Sequence, residues 1–414
     1  MQNTTIQKEW FSKGEQYATE INEMVDFGEK NGWENWKGKE PEDTRSNLAQ
    51  EVFKLLKTAN QNNNTENFRA DFPPAHTPMI PLFENRSQSI EQLHFISGEK
   101  IVFVTGTSYE KRQAYLLDHD QITALDEDIQ AIGKSKQGNI FAIAQSGKIL
   151  LHDGWDGTII NEFKLNSTAD YGITDLIPFN DGSKVLLVTS YGIYLISGKE
   201  EKLIHPINED NQEDWTPDID MENATLSNDN SYIVVGDQSY DHRILDPEGN
   251  TLGSIGAQSS YPHFCLFAKD DSQLITNSCH FYNGITIGIN SDQYVGADIE
   301  AYTESDDYTV IDEEMRVYAG TATRDYYILG DAYGYIKAFD KAGNLLWRHF
   351  LGSTISGITL SDDEKTLWIG AHSGILHKLR LDKGRRDTHT ISNGNHYEEF
   401  RLLIWKNEPQ IWKW

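Results

Sequence analysis

Two short clusters hold residue types that could do chemistry. "GAHSG" at 370–374 sets a histidine beside a serine. A nucleophilic serine needs its base within hydrogen-bond reach. Adjacent residues on a strand turn point apart, so His372 and Ser373 are not expected to form a dyad. "DGWDGT" at 153–158 has the acids and glycines of a calcium loop but is too short for one, and it reads as a hairpin turn. GxSxG, HExxH, the P-loop and GxGxxG are missing. The 13 histidines show no ligand spacing, and His280, His372 and His377 read as turn or surface residues. Cys265 and Cys279 form no CxxC and fall in strand-like segments. They read as small core residues, and a disulfide between them is left open but is not needed. No spacing singles out an acid–base pair among the 64 carboxylates. No catalytic residue, metal ligand or cofactor is expected.

What the chain has in excess is negative charge, −28 over 414 residues. That argues against nucleic acid or an anionic membrane as ligand and favours a basic partner, or solubility alone. The charge is concentrated. "NEDNQEDWTPDIDMEN" (208–223) has seven acids, no Lys or Arg, and Trp215. "ADIEAYTESDDYTVIDEE" (297–314) has eight acids and no base. No segment approaches a membrane span and no apolar leader opens the chain, so a cytoplasmic location is expected.

Whether these stretches matter depends on the elements that hold them. Residues 1–70 have helical periodicity. Thr4 to Phe27 places Tyr17, Ile21, Met24 and Val25 on one side, and Leu48, Val52, Leu55, Leu56 and Ala59 recur at helical spacing. They form an N-terminal helical extension, expected to pack Trp10, Trp33 and Trp36 on its neighbour. "DFPPAHTPMIPLF" reads as an extended, proline-rich connection. From there a unit of about 40 residues repeats. Its polar turns are "SGEK", "KQGN", "NDGSK", "NDNS", "KDDSQ", "TATRD" and "DDEK". Glycine-ended turns such as "TSYG" and "DAYG" follow, then hairpins such as "ILDPEGNTL". Each repeat is four strands, A to D. The fold expected for 71–414 is all-β, a seven-bladed β-propeller of four-stranded blades. "YEEFRLLIW" and "EPQIWKW" either complete blade seven or pair with "MIPLF" to close the ring.

"YIKAFDKAGNLLW" (335–347) resembles the repeat of quinoprotein-type propellers, with Ala338, Asp340, Gly343 and Trp347 in the matching places. The other blades resemble generic WD40-like repeats without their Gly-His and Trp-Asp signatures. The resemblance covers about 300 residues at the level of fold. The metal and disulfide of quinoprotein dehydrogenases have no counterpart pattern in this sequence.

In a propeller the D-to-A links and B-to-C turns share one face. The stretch 208–223 is expected to link blades three and four, and 297–314 to link blades five and six. The same face would carry Tyr109, Tyr191, Tyr240, Tyr282, Tyr333 and His372. The expected contact residues are Glu209, Asp210, Glu213, Asp214, Trp215, Asp218, Asp220, Tyr191, Tyr240, Tyr333, His372, Glu304, Asp306 and Asp307. Aromatics are enriched in interfaces, and acidic charge speeds encounter with a basic protein. The expected function is a non-catalytic, monomeric, protein-binding propeller. In its most concrete form it resembles, in class and charge, the immunity proteins that neutralise basic bacterial toxins. The alternatives are a scaffold with a cellular partner, and an enzyme or carbohydrate binder with a site in the central channel.

Overall fold

The structure is a computed structural model and describes residues 2–165, 172–208, 215–385 and 387–414. Among these residues the strands form seven sheets, each with its first four strands in inner-to-outer chain order. The innermost strands, A, are Ile90–Ser97, Ala131–Lys134, Ile173–Pro178, Asn223–Leu226, Tyr261–Phe267, Val317–Ala322 and Ile355–Leu360. The second strands read as short continuous apolar runs, such as "KVLLVT" and "TLWIGA". Neighbouring blades cover both of their faces, so they are buried almost throughout. This is a seven-bladed β-propeller.

Six of the seven polar A–B turns share one backbone feature. Gly98, Gly138, Gly182, Asn230, Asp271 and Glu364 all have positive φ at equivalent places. Glycine, asparagine and aspartate tolerate that conformation best. These turns also tie blade to blade. Asn180 donates its backbone N–H to Asn230 Oδ1 at 2.6 Å and its side-chain amide to Asn228 O at 2.7 Å. The Asn228 side chain in turn donates to Asp271 Oδ1 at 2.7 Å.

Blade one packs directly on blade seven, which closes the ring. Ser356 Oγ donates to Ile90 O at 2.8 Å, and Phe95 N–H donates to Thr359 Oγ1 at 3.0 Å. Gly370 is required for this approach, because a Cβ there would lie 2.4 Å from Ile90 O. Blade seven is completed within the C-terminal part of the chain. Tyr397–Leu403 is its fourth strand and Trp412–Lys413 adds a fifth. "MIPLF" takes no part in closure and is not extended. Thr77–Met79 and Ile80–Phe83 are helical turns, with prolines in first-turn positions where a missing N–H costs nothing.

The helices α1 (Gln2–Asn31), α2 (Ala49–Gln61), α3 (Thr65–Asp71) and α4 (Ile80–Phe83) form a layer against blades six and seven. Trp10, Val52, Phe53, Leu56, Phe68 and Phe72 share one core with Ile375, Leu403, Trp405, Trp412 and Trp414. The indoles of Trp10 and Trp414 donate to Pro73 O and Phe72 O. Farther along α1, Ala18, Ile21 and Val25 meet Ile391 and Phe350, and the buried Arg348 pairs with Asp26 and Glu29. Of the three tryptophans expected to pack, only Trp10 is fully buried. Trp33 is exposed and Trp36 rests partly on Phe27. Cys265 and Cys279 are buried free thiols. No helix among the described residues is long and apolar enough to cross a membrane.

The seam between blades one and seven makes a test. Gly370→Ala should destabilise the protein by about 1–3 kcal/mol, because the methyl meets backbone that cannot step aside. Gly98→Asn has open space and a residue tolerant of positive φ, so it should stay within about 0.5 kcal/mol of wild type. Equal losses in denaturant titrations of the two variants would refute the tight-seam account.

Candidate protein-binding face

The face formed by the D–A links and B–C turns is held from below by a residue at or just after the end of strand B in several blades. In blade three, Thr189 Oγ1 accepts the Tyr191 N–H at 3.2 Å and donates to Gly192 O at 2.8 Å. In blade four, Asp237 is wholly buried. One of its oxygens accepts the N–H groups of Ser239 and Tyr240 at 2.5 and 3.0 Å, and the other meets His205 Nε2 at 3.0 Å. In blade six, buried Asp331 accepts the Tyr335 N–H at 2.8 Å, and burial pushes its carboxyl up to about 6. Each of these side chains caps a turn whose tip carries an exposed tyrosine: Tyr191, Tyr240 and Tyr333. Their side chains are partly exposed, Tyr240 lying edge-on to His205 and Tyr333 against Tyr282, while their backbones are fixed. The fully buried His205–Asp237 pair thus serves the turn, and solvent does not reach it.

Of the acidic link between blades three and four, Glu209, Asp210, Glu213 and Asp214 lie outside the described residues. The rest lies on this face. Ile219 is buried between blades three and four and donates its N–H to Ser190 O, while Asp220 O accepts from Gln238. Trp215 is half-buried, and Asp218 and Asp220 are exposed.

The second acidic stretch lies elsewhere than the sequence suggests. It joins no two blades. Thr309–Asp312 is the outer strand of blade five, so the preceding residues form an excursion between strands C and D of that blade. Tyr294 is buried and donates its hydroxyl to Asp271 O at 3.0 Å. Asp298–Ile299 then pairs, in parallel, with the outer strand of blade four, Thr251–Ile255. The excursion thereby covers a strand edge that would otherwise be open. Glu304, Asp306 and Asp307 are exposed on its return path to the outer strand of blade five. Only the tip reaches the shared face, where Tyr302 N–H donates to Ala257 O.

Blades five to seven add Phe281, Tyr318 and His263 to the expected Tyr282, Tyr333 and His372. The two-residue hairpin Phe281–Tyr282 joins paired His280 and Asn283. Phe281 is 74% exposed and has φ 52°, at a position where hairpins favour glycine. Tyr282 is 61% exposed and lies 5.6 Å from Tyr333. Closer to the channel, the Arg316 guanidinium stacks on Tyr318 at 4.8 Å, and Tyr318 meets His263 and His372 edge-on. His263 Nδ1 donates to Val317 O at 2.6 Å, which leaves Nε2 as acceptor for Arg316. Burial, and then Arg316, lower His263 to about 4, so the ring is neutral. His372 is an exposed turn residue, as expected. His377 is not: it is buried with Nδ1 on Glu398.

The central channel is a cavity of about 840 Å3 lined by the A strands. Glu91, Asp175 and Glu222 stand towards the aromatic face, and burial raises all three carboxyls. Lys134, Lys136 and Lys269 stand at the opposite mouth. Among the described residues no three His, Cys, Asp or Glu side chains gather as a metal site.

No family model and no curated protein matches the chain. Among solved structures, the β-propeller domain of Myceliophteria thermophila Cps50 (Swd1) is similar at 12% identity and TM-score 0.47, covering 72% of this chain and 95% of that one. The computationally designed Ika8 protein is similar at 15% identity and TM-score 0.45, covering 71% and 97%.

Two substitutions test the supports of this face. The Asp331 carboxyl holds its proton up to about pH 6 when folded, against an ordinary value of 3.8. Between those values the folded state binds the extra proton, so stability falls as pH rises from about 4 to about 6 and is level above that. Asp331→Asn should abolish this fall and raise stability at pH 7 by about 1–3 kcal/mol. An unchanged pH profile would contradict the assignment. Phe281→Gly should raise stability by about 1 kcal/mol by relieving the left-handed backbone. A loss of stability would mean the ring is needed for folding.

Proposed function

We propose that this propeller is a non-catalytic binding protein that engages a basic protein through the face carrying Trp215, Asp218, Asp220, Tyr191, Tyr240, Tyr282, Tyr333 and His372. The observation that carries the reading is the set of exposed aromatics on turns capped by buried side chains, in a chain of net charge −28. Rigid, amphipathic side chains lose little entropy on binding, and a matching field speeds encounter. Glu91, Asp175 and Glu222 line the channel below the same face, where Glu91 is paired with Arg112. In its most specific form the protein neutralises a basic toxin as an immunity protein. A scaffold with a cellular partner is the second form.

The test begins with capture of the partner from the native cell and its identification by mass spectrometry. Binding kinetics follow at two salt concentrations. Asp218→Asn with Asp220→Asn should slow association, and the defect should shrink as the Debye length falls from about 10 Å at 0.1 M to about 3 Å at 1 M. Trp215→Ala should act mainly on dissociation. A captured protein that is toxic when expressed alone supports the immunity form. Rates unaffected by either variant would remove this face from the account.

A further inference from the structure

A second site of different chemistry lies between the helical layer and blades six and seven. It is a cleft of about 60 Å3 where α1, the 69–77 segment, Leu345–Phe350 and Tyr397–Leu403 meet. Its floor is Glu398, which is fully engaged. Glu398 meets His377 Nδ1 at 2.5 Å, and it accepts from Arg401 Nε at 2.9 Å and Arg69 Nη2 at 2.9 Å. Burial alone would raise this carboxyl, but Arg401 and Arg69 hold it well below the usual range.

Above that floor, polar atoms end without partners. Arg401 is only 7% exposed, and its Nη1 meets no acceptor. His349 is 3% exposed, and its Nδ1 is unbonded. His76 Nε2 is buried and unbonded too. All three residues line the same cleft. Burial, with help from Arg401, lowers His76 and His349 to about 3 each, so both rings are neutral and each has one N–H to give. Buried polar atoms nearly always have a partner, in the protein, in ordered water or in a bound guest. A shortage of carboxylates does not explain the arrangement, since acids outnumber Lys and Arg 64 to 36. The other carboxylates of the lining do not reach them: Asp43 is paired with Arg45, and Asp387 accepts the His389 N–H.

We propose that this cleft binds a small inorganic anion, held by Arg401 Nη1 and by N–H groups of His76 and His349. The guest would join residues from three separate parts of the chain: His76 before the propeller, His349 in blade six and Arg401 in blade seven. Its occupancy therefore strengthens the docking of the helical layer. A halide and a tetrahedral oxyanion share the required chemistry.

The test uses the full chain, melted in sodium bromide, sodium phosphate and sodium gluconate at equal ionic strength, with crystals grown in bromide. Binding to the folded state alone gives a saturable rise in melting temperature. The expected result is such a rise with bromide or phosphate and none with gluconate, which is too large to enter. The anion that saturates lower identifies the natural class. His76→Asn leaves every Glu398 contact in place, so it should fold and lose the saturable rise. That difference separates binding from the general effect of phosphate on protein surfaces. An anomalous bromide peak within hydrogen-bond distance of Arg401 would support the site directly. Equal melting in all three salts, the same rise in His76→Asn, or ordered water alone at this position would overturn the proposal.

Discussion

Everything in this molecule depends on closing a ring with no strand borrowed from the other end of the chain. A four-stranded blade buries both faces only if it has a neighbour on each side, and the last neighbour must be the first blade. In this protein blade seven supplies all of its own strands, so the seam with blade one holds by side-chain packing, by hydrogen bonds such as those of Phe95 and Ser356, and by ion pairs of Glu99 with Lys378 and Arg380 and of Asp120 with Lys413. That is why Gly370 faces the Ile90 carbonyl and why Leu93 packs against Gly357. The inter-blade bonds of Asn180, Asn228 and Asp271 stiffen the A–B side of the ring. The opposite side is left free to present turns.

The same constraint explains the parts outside the ring. The outer strands of blades four, six and seven would offer open edges or loosely held surfaces. The 291–308 excursion pairs with blade four, α1 covers blade six through Arg348, and the tryptophan-rich core fixes α2 and α3 on blade seven. The helical layer is thus a clamp on the blade that most needs one. The buried Glu398 cluster joins α3, blade seven and the chain's last strand in one polar knot. Removing one partner from such a knot would leave a buried charge uncompensated, which is far more costly than the pair is stabilising.

Much of the fold was legible because its turns obey local rules. Gly138, Gly182, Asn230 and Asp271 must adopt positive φ, so the residues that tolerate it mark the A–B turns at a regular interval. The tyrosines two to four residues beyond strand B follow from the same register. What was not legible depends on contacts distant in sequence. The outer strand Thr309–Asp312 is four residues in an acidic run, and only Tyr294 and the parallel pairing of Ile299 show that the run is an edge cover. His377 looks like a turn residue until Glu398 is brought to it across blade seven. Phe281 carries no signal beyond its type, because its backbone strain is visible only in three dimensions.

The proposed reading gives the molecule one cross-tied side and one partner-binding side. Hydrogen exchange of the protein alone and with its captured partner measures this most directly. The account predicts slowed exchange in 189–192, 215–222, 237–241, 281–284 and 332–335, with no change at the A–B turns around Asn180, Asn228 and Asp271. Protection confined to those A–B turns would contradict it.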